Sequence, residues 1–232
     1  SSTRKKLTVF FSDIQGFTHQ AATLEPEDLS LLLNSYLEAM NRIIAKYNGT
    51  LDKYIGDAIL VFFGDPATAG LAEDACACVG MALEMQERIL ELREDWRRQG
   101  IADPLRVRIG ITTGFCTVGN FGSSHKIDYT IIGSPVNLAA RLQAQAAPGT
   151  VLVSEETWQL VADRFDCTAQ DPVQVKGITE AVRTWVVSSR QKGTRYSLDI
   201  EHARIDVRPE ALSPEGRDKV RALLAGLAAA LG

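Results

Sequence analysis

Only three histidines and four cysteines occur in the 232 residues, and neither type is grouped for chemistry. His19, His125 and His202 fall in no HExxH or Ser-His-Asp arrangement, which leaves zinc-protease and acyl-transfer signatures without support. Cys76 and Cys78 lie two apart in a helical pattern, so their side chains diverge, and with Cys116 and Cys167 they make no CxxC metal pair. All four read as small hydrophobes of a reducing compartment. No apolar run approaches the roughly 18–20 residues of a membrane span, and no leader with a basic start, apolar middle and cleavage site opens the chain. A basic excess is missing too. The net charge of -4 argues against a nucleic-acid partner, and Arg4-Lys5-Lys6 reads as a solvated approach to the first strand. What remains, 45% apolar and 23% charged residues, is the composition of a soluble globular protein with one large domain, or one domain with an appendage. The start at Ser1-Ser2-Thr3 reads as a piece of a longer protein whose upstream part, a sensor or a membrane segment, is unseen.

The organisation follows from periodicity. Residues 1–6 lead in, and 7–187 form the main unit. Leu7 to Ser12 is a nearly continuous apolar run, the form of a buried central strand. It ends at Asp13, before a segment, Ile14 to Thr18, too short and mixed to be an element. From Pro26 the apolar residues Leu29, Leu32, Leu33, Tyr36, Leu37, Met40, Ile43, Ile44 and Tyr47 recur by threes and fours, one face of a helix that Asn48-Gly49 ends. Thr50–Ile55 and Ala58–Phe63 read as two strands around a Gly56-Asp57 hairpin turn. A second long helix spans about Ala72 to Arg98. Leu105 to Thr112 is a fourth strand, with Gly114 to Phe121 turning back as another hairpin arm. Lys126–Ile132 is strand-like. Ser134, as N-cap, and Pro135, as first residue, open a helix to about Gln145. Thr150–Ser154 is a strand, Glu155–Phe165 a short helix and Ala181–Val187 a last strand. Residues 188–195 form a polar linker, and 196–232 a strand-helix appendage.

The order strand, helix, strand, strand, helix, strand predicts an α+β fold, a ferredoxin-like βαββαβ core sheet with helices on one face, extended by additional strands and the appendage. In such a split unit the first two strands run parallel with the hairpin's return strand between them. The end of the first strand then meets the start of the third, which brings Asp13 and Asp57 to one sheet end. A bare carboxylate pair repels and needs a shared proton or a cation. Hard oxygen ligands suit Mg²⁺, and two such ions ~3.5–4 Å apart would clamp both oxygens of a phosphoryl transfer. Taken singly, Asp13 as a cap and Asp57 as a turn residue are the better readings; both together, at converging strand ends, favour the cation pair. Asn137 and Arg141, four apart, project from one helix face, where they could stabilise a transferring phosphoryl group or simply be solvated.

Four blocks in order then carry a resemblance. Phe11-Ser12-Asp13-Ile14-Gln15-Gly16-Phe17-Thr18 resembles the FxDxxGFT opening of class III adenylate/guanylate cyclase catalytic domains. Asp52-Lys53-Tyr54-Ile55-Gly56-Asp57-Ala58 is similar to that family's second metal motif. Asp128-Tyr129-Thr130-Ile131-Ile132-Gly133 with Val136-Asn137-Leu138-Ala139-Ala140-Arg141-Leu142 resembles the third, and Val175-Lys176-Gly177 a fourth. The resemblance implies that Asp13, Asp57 and the Ile14 carbonyl hold two Mg²⁺ or Mn²⁺ ions per site. The amides of Gly16, Phe17 and Thr18 would cradle phosphates, and Lys176 would contact the triphosphate. Asn137 would position the ribose and Arg141 would stabilise the α-phosphate as the 3′-hydroxyl attacks it and pyrophosphate leaves. It also implies a homodimer with sites at the subunit interface, the metal aspartates from one subunit and the base-reading residues, Asn137 and Arg141, from the other. A cytoplasmic catalytic domain in cyclic-nucleotide signalling follows, with a membrane tether of the full-length protein left open.

Lys53 and Thr130 stand where the family reads the purine. A lysine donor complements adenine N1, and a threonine oxygen accepts from its N6 amino group, so ATP is the expected substrate. Guanylate cyclases usually place Glu and Cys there, and a buried polar mismatch discriminates by roughly 10⁴-fold. Threonine at 130 resembles a bacterial subgroup, some of whose members respond to bicarbonate. One departure is Phe115, where many members carry arginine. Among rivals, Gly114–Gly119 has P-loop spacing but Asn120-Phe121 in place of Lys-Ser/Thr, and the hairpin lacks the GGDEF residues of a diguanylate cyclase. A guanylate cyclase and a non-catalytic nucleotide-sensing or dimerisation module remain the alternatives.

Overall fold

The computed structural model describes residues 2–191, 196–209 and 212–232. Its contacts divide the chain into Ser1–Arg190 and Gln191–Gly232.

In the larger unit the elements are β1 (Ser2–Ile14), α1 (Phe17–Thr23), α2 (Pro26–Lys46), β2 (Thr50–Ile55), β3 (Ala58–Phe63), α3 (Leu71–Arg98), β4 (Val107–Ser123), β5 (Lys126–Ile132), α4 (Ser134–Gln145), β6 (Val151–Ser154), α5 (Glu155–Val161), β7 (Phe165–Val173) and β8 (Val182–Arg190). The sheet runs β2-β3-β1-β4-β6-β8-β7, and β5 pairs with β4. Its first four strands have the split order expected of a βαββαβ unit: β3 lies antiparallel between β1 and β2, so those two are parallel. The chain is α+β, with a mostly antiparallel central sheet.

Alternation along β1 sorts its side chains onto two faces. Phe10 and Ile14, with Ile59, Val61 and Phe63 of β3, pack against the apolar faces of α2 and α3. Leu7 and Val9 point the other way, into a second cluster with Leu60, Phe62, Cys116, Val118, Ile131 and Ala139. The helices of the split unit therefore share one face, as expected, while α4 of the extension covers the other. The second cluster joins β3 to β5 although β1 and β4 lie between them, so the sheet curls around it and carries β5 toward β2.

Several local expectations change. The Arg4-Lys5-Lys6 run is no lead-in: β1 begins at Ser2 and pairs with β4 from Ser2↔Gly119 onward. Lys5 forms an ion pair with Asp65, and Lys6 approaches Glu156 at 3.4 Å. The segment after Asp13 contains a helical turn, α1, with Gly16 as a left-handed N-cap at φ 66. No turn falls at Gly114, since β4 is continuous through Ser123. Its glycines serve packing instead. A Cβ at Gly110 would lie 2.4 Å from both the Ala139 carbonyl oxygen and the Gln143 nitrogen, and one at Gly114 2.8 Å from Pro135. Their bare backbone is what lets α4 lie directly on the sheet. Gly133, not Ser134, is the N-cap of α4. The helix read to Phe165 stops at Val161, and the polar run after it is the edge strand β7.

In the smaller unit, β9 (Tyr196–Ile200) and β10 (Ala203–Val207) form a hairpin where a single strand was expected. Glu201, at φ 32, occupies the turn. Ser213 caps α6 (Pro214–Leu231), its hydroxyl accepting from the Gly216 N–H at 3.1 Å. Of the linker at 188–195, residues 188–190 finish β8 and 192–195 lie outside the described residues, as does Ser1. Among the described residues no helix is long and apolar enough to cross a membrane.

Candidate active site

The β1–β3 register, ending at Ser12↔Ile59, sets Asp13 beside the β2–β3 turn that holds Asp57. The Ile14 N–H donates to Asp57 Oδ2 at 3.0 Å. Burial, and then the Asp57 carboxylate hydrogen-bonded beside it, push the Asp13 carboxyl up to about 7. Arg108, the β4 residue paired with Asp13, pulls in the opposite direction. Two carboxylates thus converge at the rim of the sheet, an arrangement that favours a hard cation between them. No third Asp, Glu, His or Cys joins them among the described residues, so a cation here would complete its shell with backbone carbonyl, water or phosphate oxygens. That donor set fits Mg²⁺ or Mn²⁺.

Directly beyond, Gly16 caps α1 without a side chain, and only the Gln20 N–H returns to its carbonyl. The amides of Phe17, Thr18 and His19 in the first turn therefore have no intrahelical acceptor. Beneath the rim, Tyr36 is fully buried. Its hydroxyl and that of Ser12 lie near one another and near both carboxylates without a well-formed hydrogen bond.

A second cluster joins β2 to β5. The β2–β3 register shifts between Leu51 and Lys53, leaving Asp52 as the extra residue of a β-bulge. Its side chain is 1% exposed. It accepts from Thr130 Oγ1 at 2.9 and 2.7 Å and from the Ile131 N–H at 3.1 Å, and Lys53 Nζ stands 3.4 Å away. Lys53 and Thr130 are thereby brought together on one carboxylate. A further brace sits next to it, where Tyr129 and Lys5 both donate to the carboxylate of buried Asp65.

Asn137 and Arg141 are exposed on the outer face of α4, and Lys176 is exposed in the turn closed by the Ile178 N–H to the Val175 carbonyl at 3.0 Å. They do not join either cluster through a hydrogen bond or ion pair. Phe115 is exposed, and the Arg4 guanidinium lies over its ring at 4.7 Å from the centroid, with Lys6 Nζ at 6.0 Å. Cationic groups from β1 therefore flank the position where the family often has arginine. The sequence reading missed Asp52, Arg108 and Tyr36. An arginine interrupting the apolar run Val107–Ile111 was a visible signal for Arg108, whereas the bulge that aims Asp52 was not.

Comparison with known proteins identifies the family. The profile of the adenylate and guanylate cyclase catalytic domain matches residues 1–189. The crystal structure of the adenylyl cyclase CyaB from P. aeruginosa is similar at 48% identity and a TM-score of 0.81, covering 83% of this chain and 98% of that one. That of the guanylyl cyclase Cya2 is similar at 34% identity and 0.78, covering 82% and 95%. Adenylate cyclase 1 of Rhizobium meliloti (strain 1021) is 30% identical over 196 residues, 78% of this chain but 29% of its own length. The chain thus spans under a third of that relative.

Proposed function

This chain belongs to the adenylate and guanylate cyclase catalytic domain family, and on that premise we propose that it is an adenylate cyclase, converting ATP to 3′,5′-cyclic AMP and pyrophosphate. The observation that carries the reading is the convergence of Asp13 and Asp57 at one rim of the sheet, where the Ile14 N–H donates to Asp57 Oδ2 at 3.0 Å. Those two carboxylates and the Ile14 carbonyl would hold two divalent cations. When bound, the cations supply the charge that acidifies the ribose 3′-hydroxyl and neutralises the leaving pyrophosphate.

The chain's own groups do the rest. The amides of Gly16, Phe17 and Thr18 at the start of α1 bind phosphate oxygens, and Lys176 adds a positive charge to the triphosphate. Arg141 offsets charge that develops at the α-phosphate, and Asn137 orients the ribose. Lys53 donates to adenine N1 while Thr130 accepts from N6.

Asn137, Arg141 and Lys176 are exposed and lie outside both clusters, which supports a site completed by a second copy of the chain. Leu51, Tyr54, Ile55, Ile127, Tyr129 and Ile132 of β2 and β5 are exposed as well, an apolar area that such a copy would cover. The domain works in the cytoplasm, where four free thiols persist and ATP is at hand, within a longer protein carrying its sensor. Likeness to the guanylyl cyclase Cya2 favours GTP as the second reading. Lys53 opposes it, because guanine presents a donor at N1.

Incubation of the purified protein with ATP and Mg²⁺ or Mn²⁺ should yield cyclic AMP and pyrophosphate in equal amounts. No cyclic nucleotide from ATP or, in parallel, from GTP with either metal would leave a binding module instead.

A further inference from the structure

Thr130 can serve as an acceptor for a 6-amino group only if its own proton is engaged elsewhere. A threonine hydroxyl has one proton and two lone pairs, and it rotates to suit its neighbours. Left free, it would accept from the N6 amino group of adenine or donate to the O6 of guanine, and would read neither. The structure removes that freedom. Asp52 receives the Thr130 Oγ1 contact on both of its carboxylate oxygens, at 2.9 and 2.7 Å. An ionised carboxylate only accepts, so in this contact the proton belongs to Thr130 and is spent.

We infer that Asp52 is a specificity-determining positioning residue, which fixes the Thr130 hydroxyl as an acceptor and so selects a 6-aminopurine without touching it. The inference rests on the adenylate reading above. Three features make Asp52 more than a convenient neighbour. It is the extra residue of the β2 bulge, so its side chain leaves the strand's alternation and reaches the curled-over β5. Its carboxylate is almost wholly buried, so rotating the Thr130 hydroxyl away would strip a donor from a buried charge, a costly loss. It also accepts from the Ile131 N–H at 3.1 Å and draws Lys53 Nζ to 3.4 Å. One group thereby sets the hydroxyl's polarity, the height of β5 and the placement of the lysine that meets N1. Guanine would present an acceptor to an acceptor at position 6 and a donor to a donor at N1, mismatched twice over.

The test compares kcat/KM for ATP, GTP and purine riboside triphosphate, which lacks the 6-amino group, in wild type, Asp52→Ala, Asp52→Asn, Thr130→Val and the Asp52→Ala/Thr130→Val double variant. Melting temperature and dimer content serve as controls, and the isosteric Asp52→Asn stands in if the alanine variant does not fold. The preference for ATP over both other nucleotides is expected to fall at least about tenfold in the Asp52 variants. In the Thr130→Val background, Asp52→Ala should change the preference for ATP over purine riboside triphosphate, both of which present an N1 acceptor to Lys53, by less than about threefold, because the hydroxyl it acts through is gone. Equal losses for all three nucleotides, with the ratios intact, would make Asp52 a structural brace and overturn the inference. A wild-type protein that prefers GTP, or cyclises nothing, would overturn the adenylate reading itself, and no variant is needed to see that.

Discussion

Because Asp13 holds its proton up to about pH 7, a cation entering the Asp13–Asp57 site must displace that proton, and its affinity must depend on pH. The ionised fraction of such a group rises from ~0.1 at pH 6 to ~0.9 at pH 8. Apparent Mn²⁺ affinity should therefore rise about tenfold over that interval, with close to one proton released per site at the lower end. Calorimetric titration of the nucleotide-free protein with MnCl₂ at pH 6, 7 and 8, in two buffers of different ionisation enthalpy, measures both quantities. The sign extends to stability. Asp13 binds its proton more tightly folded than unfolded, so in metal-free protein it favours the fold at low pH, and that contribution is lost as pH rises from about 4 to about 7. Mn²⁺ reverses the trend, so the rise in melting temperature on adding metal should be larger at pH 8 than at pH 6. Asp57→Asn removes the neighbouring charge as well as a ligand. It should weaken Mn²⁺ and flatten the remaining pH dependence. A wild-type affinity constant within twofold from pH 6 to pH 8 would refute the raised Asp13 carboxyl as a cation ligand.

Further outcomes follow from the same geometry. Asp57→Ala should abolish turnover with melting and dimerisation retained, read by product formation and size-exclusion chromatography. Arg141→Ala should lose about 2.7–4 kcal/mol of transition-state stabilisation; steady-state kinetics showing a loss under tenfold would demote it. Mixing the inactive Asp57→Ala and Arg141→Ala chains should restore about a quarter of wild-type activity, since half the dimers then carry one intact site of two; no recovery after verified subunit exchange would contradict the shared site. Gly110→Ala drives a methyl group into the α4 backbone and should destabilise by about 3 kcal/mol in urea unfolding; a change under 0.5 would mean that α4 shifts freely.

What could be read from the sequence was whatever short-range pattern dictates. The Gly56-Asp57 turn and both of its strands were legible because apolar residues stop at a turn dipeptide. The meeting of Asp13 with Asp57 followed because strand order in a split βαβ unit leaves little choice. Gly114 was misread as a turn because a glycine kept small for a helix packing across the sheet looks the same locally as one kept for a bend. β7 escaped because it is an exposed edge strand with polar residues and Pro172, so it lacks the alternation of a half-buried strand. Asp52 looked like any residue of its motif. Its burial depends on a bulge and on the curl that brings β5 to β2, and both are products of packing at long range.

The most direct measurement is an anomalous-scattering map from crystals soaked with Mn²⁺ and a non-cyclisable ATP analogue. Two peaks ~3.5–4 Å apart, each touching carboxylate oxygens of Asp13 and Asp57 and phosphate oxygens of the nucleotide, are the expected result. A nucleotide bound with no metal at these two side chains, or with metal held elsewhere, would contradict the account.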